Sequence, residues 1–279
     1  MPIAELPGVS LYYERAGSGP RLLFVNGTGT DLRNQPISLW PFAPEFDLLA
    51  YDHRGLGRSE PRDPEHRPTM ADFAEDALAL CDHVGWSTFA VLGVSFGGMV
   101  AQEIAIRGRD RVERLVLACT SCGGAGGSSY PLEEAFATGP EERATRMASL
   151  LDTRAATDPV VGERLRSMMQ GAAGRGDGPG AGATPGLLRQ LEARRCHDTH
   201  DRLDRIAAPT LVAAGRYDGI APLANSEAIA SRIPDARLEV FEGGHTFFVD
   251  DPTAWPTISK FLLDNGGARP WASSTARSR

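Results

Sequence analysis

The segment FAVLGVSFGGMVAQEIAIR, residues 89–107, decides the reading. Phe89–Val94 is a short apolar run, as expected for a strand buried on both faces of a parallel sheet. Phe96–Arg107 follows without a spacer and carries Met99, Val100, Ile104 and Ile106 at helical spacing. The join, Gly93-Val94-Ser95-Phe96-Gly97, matches G-x-S-x-G. A strand that turns directly into a helix at a serine bends sharply and strains that residue's backbone. Glycines at 93 and 97 keep neighbouring side chains from clashing across the bend. The bend lifts the hydroxyl above the sheet, and the helix N-terminus behind it favours negative charge. Ser95 is therefore the candidate nucleophile. A glycine-rich turn with an incidental serine would not need the strand before it and the helix after it.

A serine hydroxyl is a weak nucleophile at neutral pH and needs a base, itself oriented by an acid. Behind a bend of this kind the chain order is serine, acid, histidine. His245 lies in Glu242-Gly243-Gly244-His245-Thr246, directly after the last expected strand, Arg237–Phe241. Of the other histidines, His53 and His66 precede the serine, His83 falls within a helix, and His197 and His200 fall in a helical region. Asp218 follows the expected strand Pro209–Ala214 and is the candidate acid. Asp250 and Asp251 come after the histidine and read as caps of the last helix. The oxyanion of a tetrahedral intermediate needs donors. The Phe96 N–H is one candidate. Thr28, in the loop after Arg21–Asn26, is the other, with Gly27 as its alternative.

Further out, strands are expected at 9–14 (as an edge), 21–26, 47–52 and 115–118, and helices at 69–84, 223–233 and 252–263. Thr69 with Asp72 three residues on approaches a capping box. This alternation predicts an α/β fold with a mostly parallel central sheet flanked by helices. Residues 121–205 show no clear strand but helical patterns at 140–151, 158–170 and 185–197. The expected organisation is a core of residues 1–120 and 206–264 interrupted by a helical cap (lid) at 121–205. Gly171–Gly186 is glycine-rich and reads as a loop, and 265–279 reads as a frayed tail. Gly27, Trp40, Phe136, Met168 and Met169 are candidates for the substrate pocket, although packing is the commoner role for such side chains.

The 279 residues are 42% hydrophobic and 23% charged, with net charge -7, which is ordinary for a globular chain. No basic patch argues for nucleic acid. No apolar run reaches the ~20 residues that cross a bilayer. The start shows no secretory pattern, so a cytoplasmic location is expected, with Cys81, Cys119, Cys122 and Cys196 as free thiols. Cys119-x-x-Cys122 lacks the second ligand pair that zinc requires. No cofactor or metal is implied. The expected partner is a small molecule, and a homo-oligomer is compatible with the sequence.

Asn26-Gly27-Thr28-Gly29, Asp52–Ser59, Gly93–Gly98, Gly215–Asp218 and Gly243–His245, in this order, resemble the α/β-hydrolase family over nearly the whole chain. The resemblance implies a serine hydrolase that cleaves a carboxylic ester or lactone through an acyl-enzyme, with Ser95, His245 and Asp218 as its triad. The family usually has His-Gly where this chain has Asn26-Gly27, a departure that bears on the anchoring of the oxyanion loop. Residues 26–32 and 51–59 are most similar to the 3-oxoadipate enol-lactonase and carboxylesterase group, which implies a small carboxylate substrate. C–C bond hydrolases and cofactor-free perhydrolases resemble the chain equally at Gly93–Gly98. A ligand receptor of the same fold is a third reading. Arg54 and Arg58 are expected to buttress the loop, with a substrate carboxylate as the competing role.

Overall fold

The apolar runs pair into one nine-stranded sheet. This computed structural model describes residues 2–33, 37, 40, 42–136, 138–173 and 184–264, except the side chains of 136, 140 and 170–173. In chain order the strands are β1 (Ile3–Leu6), β2 (Val9–Ala16), β3 (Arg21–Val25), β4 (Asp47–Tyr51), β5 (Glu60–Pro61), β6 (Phe89–Val94), β7 (Val112–Ala118), β8 (Thr210–Gly215) and β9 (Ala236–Phe241). They lie side by side as β1-β2-β4-β3-β6-β7-β8-β9, with β5 against β2. β1, β2 and β5 pair antiparallel, and every pairing from β4 to β9 is parallel. Val9–Glu14 is thus not an edge: β1 covers it. The Pro7-Gly8 turn, with Gly8 at φ 80°, closes a tight hairpin that the four-residue β1 is too short to announce by pattern.

Helices cover both faces. α1 (Met70–His83) and α2 (Phe96–Arg107) pack Phe73, Ala77, Leu80, Met99 and Ile104 onto one of them. α1 begins with the expected capping box, Thr69 and Asp72 exchanging side-chain and backbone hydrogen bonds. The residues between β7 and β8 form α3 (Leu132–Phe136), α4 (Pro140–Leu151), α5 (Pro159–Ala173) and α6 (Pro185–Arg195), with no strand among the described residues. α7 (Leu223–Arg232) returns to the first face, while α8 (Phe247–Asp250) and α9 (Ala254–Leu263) close the second against Phe42 and Phe46. Of the expected loop at 171–186, residues 171–173 continue α5 and 185–186 begin α6; 174–183 lie outside the described residues, as does the expected tail at 265–279. Among the described residues no helix is long and apolar enough to cross a membrane.

Thr253 stands at the N-cap position of α9 without a side-chain cap bond, and Asp251 holds that end instead: its Oδ1 accepts the Thr253 N–H at 2.9 Å and the Thr253 hydroxyl at 2.6 Å. Its Oδ2 accepts the Glu242 N–H at 2.9 Å, whereas Asp250, in the short α8, pairs with Arg164.

The glycines of the bend do what the sequence requires. A Cβ on Gly97 would overlap the carbonyl oxygens of Val25 and Asn26, and one on Gly93 would meet the Ala101 side chain at 2.7 Å. Carbonyls in a parallel sheet have little room to withdraw. Gly97→Ala is therefore expected to cost about 3 kcal/mol or more, read as a drop in the chemical-denaturation midpoint. An unchanged midpoint would show that β3 can shift.

Two histidines sit inside this frame. His53 and His197 are 1% and 6% exposed, and burial pulls both imidazoles down to about 4. An ordinary histidine titrates near 6.5, so the unfolded chain takes up these protons first as pH falls. Their contribution is fully present above about pH 6.5 and is lost between there and about pH 4, by roughly 3 kcal/mol each. Denaturation curves over this range should steepen toward acid, and His197→Gln should remove one proton's share of the slope. Equal slopes in the two proteins would refute the assignment.

Candidate active site

The bend is held by its neighbours on the sheet. Ser95 sits at φ 56° and ψ -116°, a strained conformation for a residue with a side chain. Its N–H donates to the Ala118 carbonyl at 2.8 Å, and its own carbonyl accepts the Thr120 hydroxyl at 2.7 Å. The strain is thus locked from β7, the strand beside β6. Phe96 opens α2, so its N–H is among those with no partner within the helix.

His245 reaches the serine from the loop after β9. Its Nε2 lies 3.0 Å from Ser95 Oγ and its Nδ1 lies 2.8 Å from Asp218 Oδ2. The other carboxylate oxygen of Asp218 accepts the N–H groups of Ile220 and Ala221, both at 2.8 Å. With one oxygen fixed by two backbone donors, the second has a defined direction toward the imidazole. All three residues are buried, at 9% exposure or less. An imidazole that donates from Nδ1 to a carboxylate has Nε2 free to accept the serine proton.

The C-terminus of α4 helps hold both loops. Its last carbonyls, left without helical partners, accept the His245 N–H (Leu151, 2.6 Å) and the Gly219 N–H (Leu150, 2.9 Å). This approach needs Gly244, where a Cβ would run into the Leu151 carbonyl.

The loop after β3, the candidate source of a second oxyanion donor, is anchored by Asn26 and His53. Asn26 Nδ2 donates to the Tyr51 carbonyl at 3.3 Å, and the buried His53 Nε2 donates to the Asn26 carbonyl at 3.0 Å. Gly27 lies against Ser95: a Cβ there would stand 3.6 Å from that of Ser95. The Gly29 N–H is committed to Gln190 Oε1 of α6 at 2.7 Å. Thr28 is half-buried.

The remaining expectations divide. Asp52–Ser59 is a self-supporting loop: Asp52 accepts the N–H groups of Leu32 and Arg58, and the Ser59 hydroxyl donates to the Asp52 carbonyl. Arg54 is consumed by a bidentate pair with Asp76 at 2.7 Å, and Arg58 lies 4.4 Å over the Tyr12 ring. Arg54 is therefore not free to take a carboxylate, and Arg58 lies 3.9 Å from Glu14. Trp40 packs edge-on against Phe24, Met169 packs against the small cap cluster around Leu187 and Leu191, and Met168 stands 45% exposed. The side chain of Phe136 lies outside the described residues. Sequence reasoning missed Gln190 and Arg194 of α6, which are buried at 0% and 6% exposure. Their spacing of four on an expected helix was the available signal.

Comparisons with known proteins agree with this fold. The sequence profile of the alpha/beta hydrolase fold matches residues 20–252. A poly(3-hydroxyalkanoate) depolymerase of Ectopseudomonas oleovorans is 30% identical over 245 residues, covering 86% of this chain and 83% of that protein. 3-Oxoadipate enol-lactonase 2 of Acinetobacter baylyi is 27% identical, covering 88% and 90%. The crystal structure of the enol-lactonase from Burkholderia xenovorans LB400 superposes with a TM-score of 0.73 at 26% identity, covering 94% and 99%.

Proposed function

The chain belongs to the alpha/beta hydrolase fold family and is a hydrolase of it, and on that premise we propose that it cleaves a carboxylic ester or lactone by a serine acyl-enzyme mechanism. The observation that carries this reading is the continuous hydrogen-bonded line from Ser95 Oγ through the two ring nitrogens of His245 to Asp218.

In this mechanism Ser95 Oγ attacks the acyl carbon while His245 Nε2 takes the hydroxyl proton. Asp218 holds the ring in the accepting tautomer and stabilises the imidazolium. The negative end of α4, beside the His245 backbone, favours the same charge. The tetrahedral oxyanion is held by the N–H of Phe96 and that of Thr28, with the Gly27 N–H as the alternative; the Gly29 N–H is already engaged by Gln190. Collapse breaks the bond to the alcohol oxygen, which leaves with the proton from His245. A water then attacks the acyl-enzyme, gives a proton to His245, and Ser95 departs with it. No cofactor enters any of these steps, and the substrate is a small molecule.

The test is covalent capture. A fluorophosphonate should label Ser95, and p-nitrophenyl butyrate should release a burst of about one nitrophenolate per chain before steady turnover. Labelling of another residue, or turnover without any label, would overturn the reading.

A further inference from the structure

Gly27 and Thr28, the candidate sources of the second oxyanion donor, open a tight turn over residues 27–30. The Gly27 carbonyl accepts the Thr30 hydroxyl at 2.9 Å and the Thr30 N–H at 3.4 Å. Gly29, third in the turn, stands at φ 68° while Thr28 before it takes no positive φ, the pattern of a type II turn. The peptide between Gly27 and Thr28 is trans, so a carbonyl turned toward Thr30 aims the Thr28 N–H out of the turn on the opposite side.

Gln190 grips the middle of this turn from α6. Its Oε1 accepts the Gly29 N–H at 2.7 Å. That N–H belongs to the Thr28–Gly29 peptide, whose rotation distinguishes one turn type from another. A backbone N–H can only donate, so the amide oxygen of Gln190, not its nitrogen, must face it. α6 itself is seated directly on the loops of the core. A Cβ on Gly186 would run into the Gly55 carbonyl, and a Cβ on Gly29 would stand 3.3 Å from the Leu187 side chain. Stability does not account for a glutamine here. The residue is 0% exposed, and its Nε2 is enclosed with no hydrogen-bond partner among the described residues. The one bond made is offset by a buried donor left unpaired, which costs at least as much. A methionine of similar length would fill the space without that cost.

We propose that Gln190 is a positioning residue for the oxyanion site: by holding the Gly29 N–H it fixes the turn that presents a backbone donor beside Ser95, so that a side chain of α6 serves the chemical step. The proposal rests on the acyl-enzyme reading and adds to it a residue that touches neither substrate nor reacting atoms. The transition state gains more from this positioning than the bound substrate does, because the negative charge develops only on the tetrahedral oxygen. Without the bond to Gln190 the donor is still present but free to turn. The loss should therefore be smaller than the roughly 10²- to 10³-fold that follows outright removal of an oxyanion donor.

The experiment compares the wild type with Gln190→Met. On p-nitrophenyl butyrate kcat and kcat/KM should fall together by about 10- to 100-fold, with KM held within about twofold. The thermal midpoint should hold or rise, because an unpaired buried amide has been removed, so the lost rate is not lost folded protein. The second readout is a pair of ketones. An aliphatic trifluoromethyl ketone adds Ser95 Oγ at its carbonyl carbon, its oxygen becomes the oxyanion, and the Oγ proton passes to His245. Its inhibition should weaken by a factor similar to the loss in kcat. The unfluorinated ketone of the same length, bound without addition, should inhibit both proteins alike. Wild-type kcat and wild-type affinity for the trifluoromethyl ketone in Gln190→Met overturn the proposal. Equal weakening of the two ketones also overturns it, because that is damage to the pocket as a whole. Should Gln190→Met fail to fold, hydrogen exchange of the wild type decides. The Gly29 amide should exchange as slowly as the amides of β3, and exchange at the rate of an open loop overturns the proposal. Fluorophosphonate labelling of the wild type separates the two levels. A labelled Ser95 with wild-type rates in Gln190→Met sinks the role of Gln190 alone, and an unlabelled Ser95 sinks the hydrolase reading and that role with it.

Discussion

Ser95→Ala should lower kcat on p-nitrophenyl butyrate by on the order of 10⁴- to 10⁶-fold and abolish the burst, while the protein stays folded. The fold should survive because alanine keeps the Cβ, and the Ser95 backbone is held by Ala118 and Thr120 whatever the side chain. Only Oγ is lost, and with it the single group 3.0 Å from His245 Nε2. Any residual rate would come from the oxyanion donors acting on bound substrate and water. Steady-state rates with a circular-dichroism check of folding decide the matter. Retention of more than about a hundredth of the activity would mean that the nucleophile lies elsewhere.

Asp218→Asn is expected to lower kcat by about 10⁴-fold with little change in KM. The local hydrogen bonds dictate how the amide must sit. Ile220 and Ala221 both donate to Oδ1, so the asparagine carbonyl has to face them. Its NH₂ then faces His245 Nδ1 at the position now 2.8 Å away. A ring nitrogen that receives this donor carries no proton, so the proton moves to Nε2. An Nε2–H donates to Ser95 Oγ and cannot accept from it. The base is lost by a change of tautomer while the packing stays the same. The remaining activity should rise steeply with pH as hydroxide replaces the base. A variant with near wild-type kcat would show that His245 needs no orienting acid.

Much of the site could be read from the chain because its chemistry forces local sequence. A strained bend between a buried strand and a helix needs glycine at 93 and 97, since the adjoining backbone leaves no space for a Cβ. The loop bearing His245 needs Gly243, at φ 114°, and Gly244, which the Leu151 carbonyl crowds. Steric demands of this kind are written within a few residues of the group they serve, so Ser95, Asp218 and His245 stood out without any structure. The parallel strands were equally plain, because burial on both faces makes them continuous apolar runs.

What the chain by itself determined was the order of the parallel strands and their flanking helices, the helical character of the segment before β8, and the three side chains proposed to do chemistry. Tertiary structure decided what faces them. Only docking of α6 brings Gln190 to Gly29, across 161 residues, and buries Arg194 with its Nη1 on the Tyr130 carbonyl. Only packing of β3 against β4 lets Asn26 and His53 anchor the loop that follows β3. Periodicity identifies the face of a helix that is buried, but it holds no record of the surface that face meets. Whether an arginine there finds partners depends on atoms supplied by distant parts of the chain.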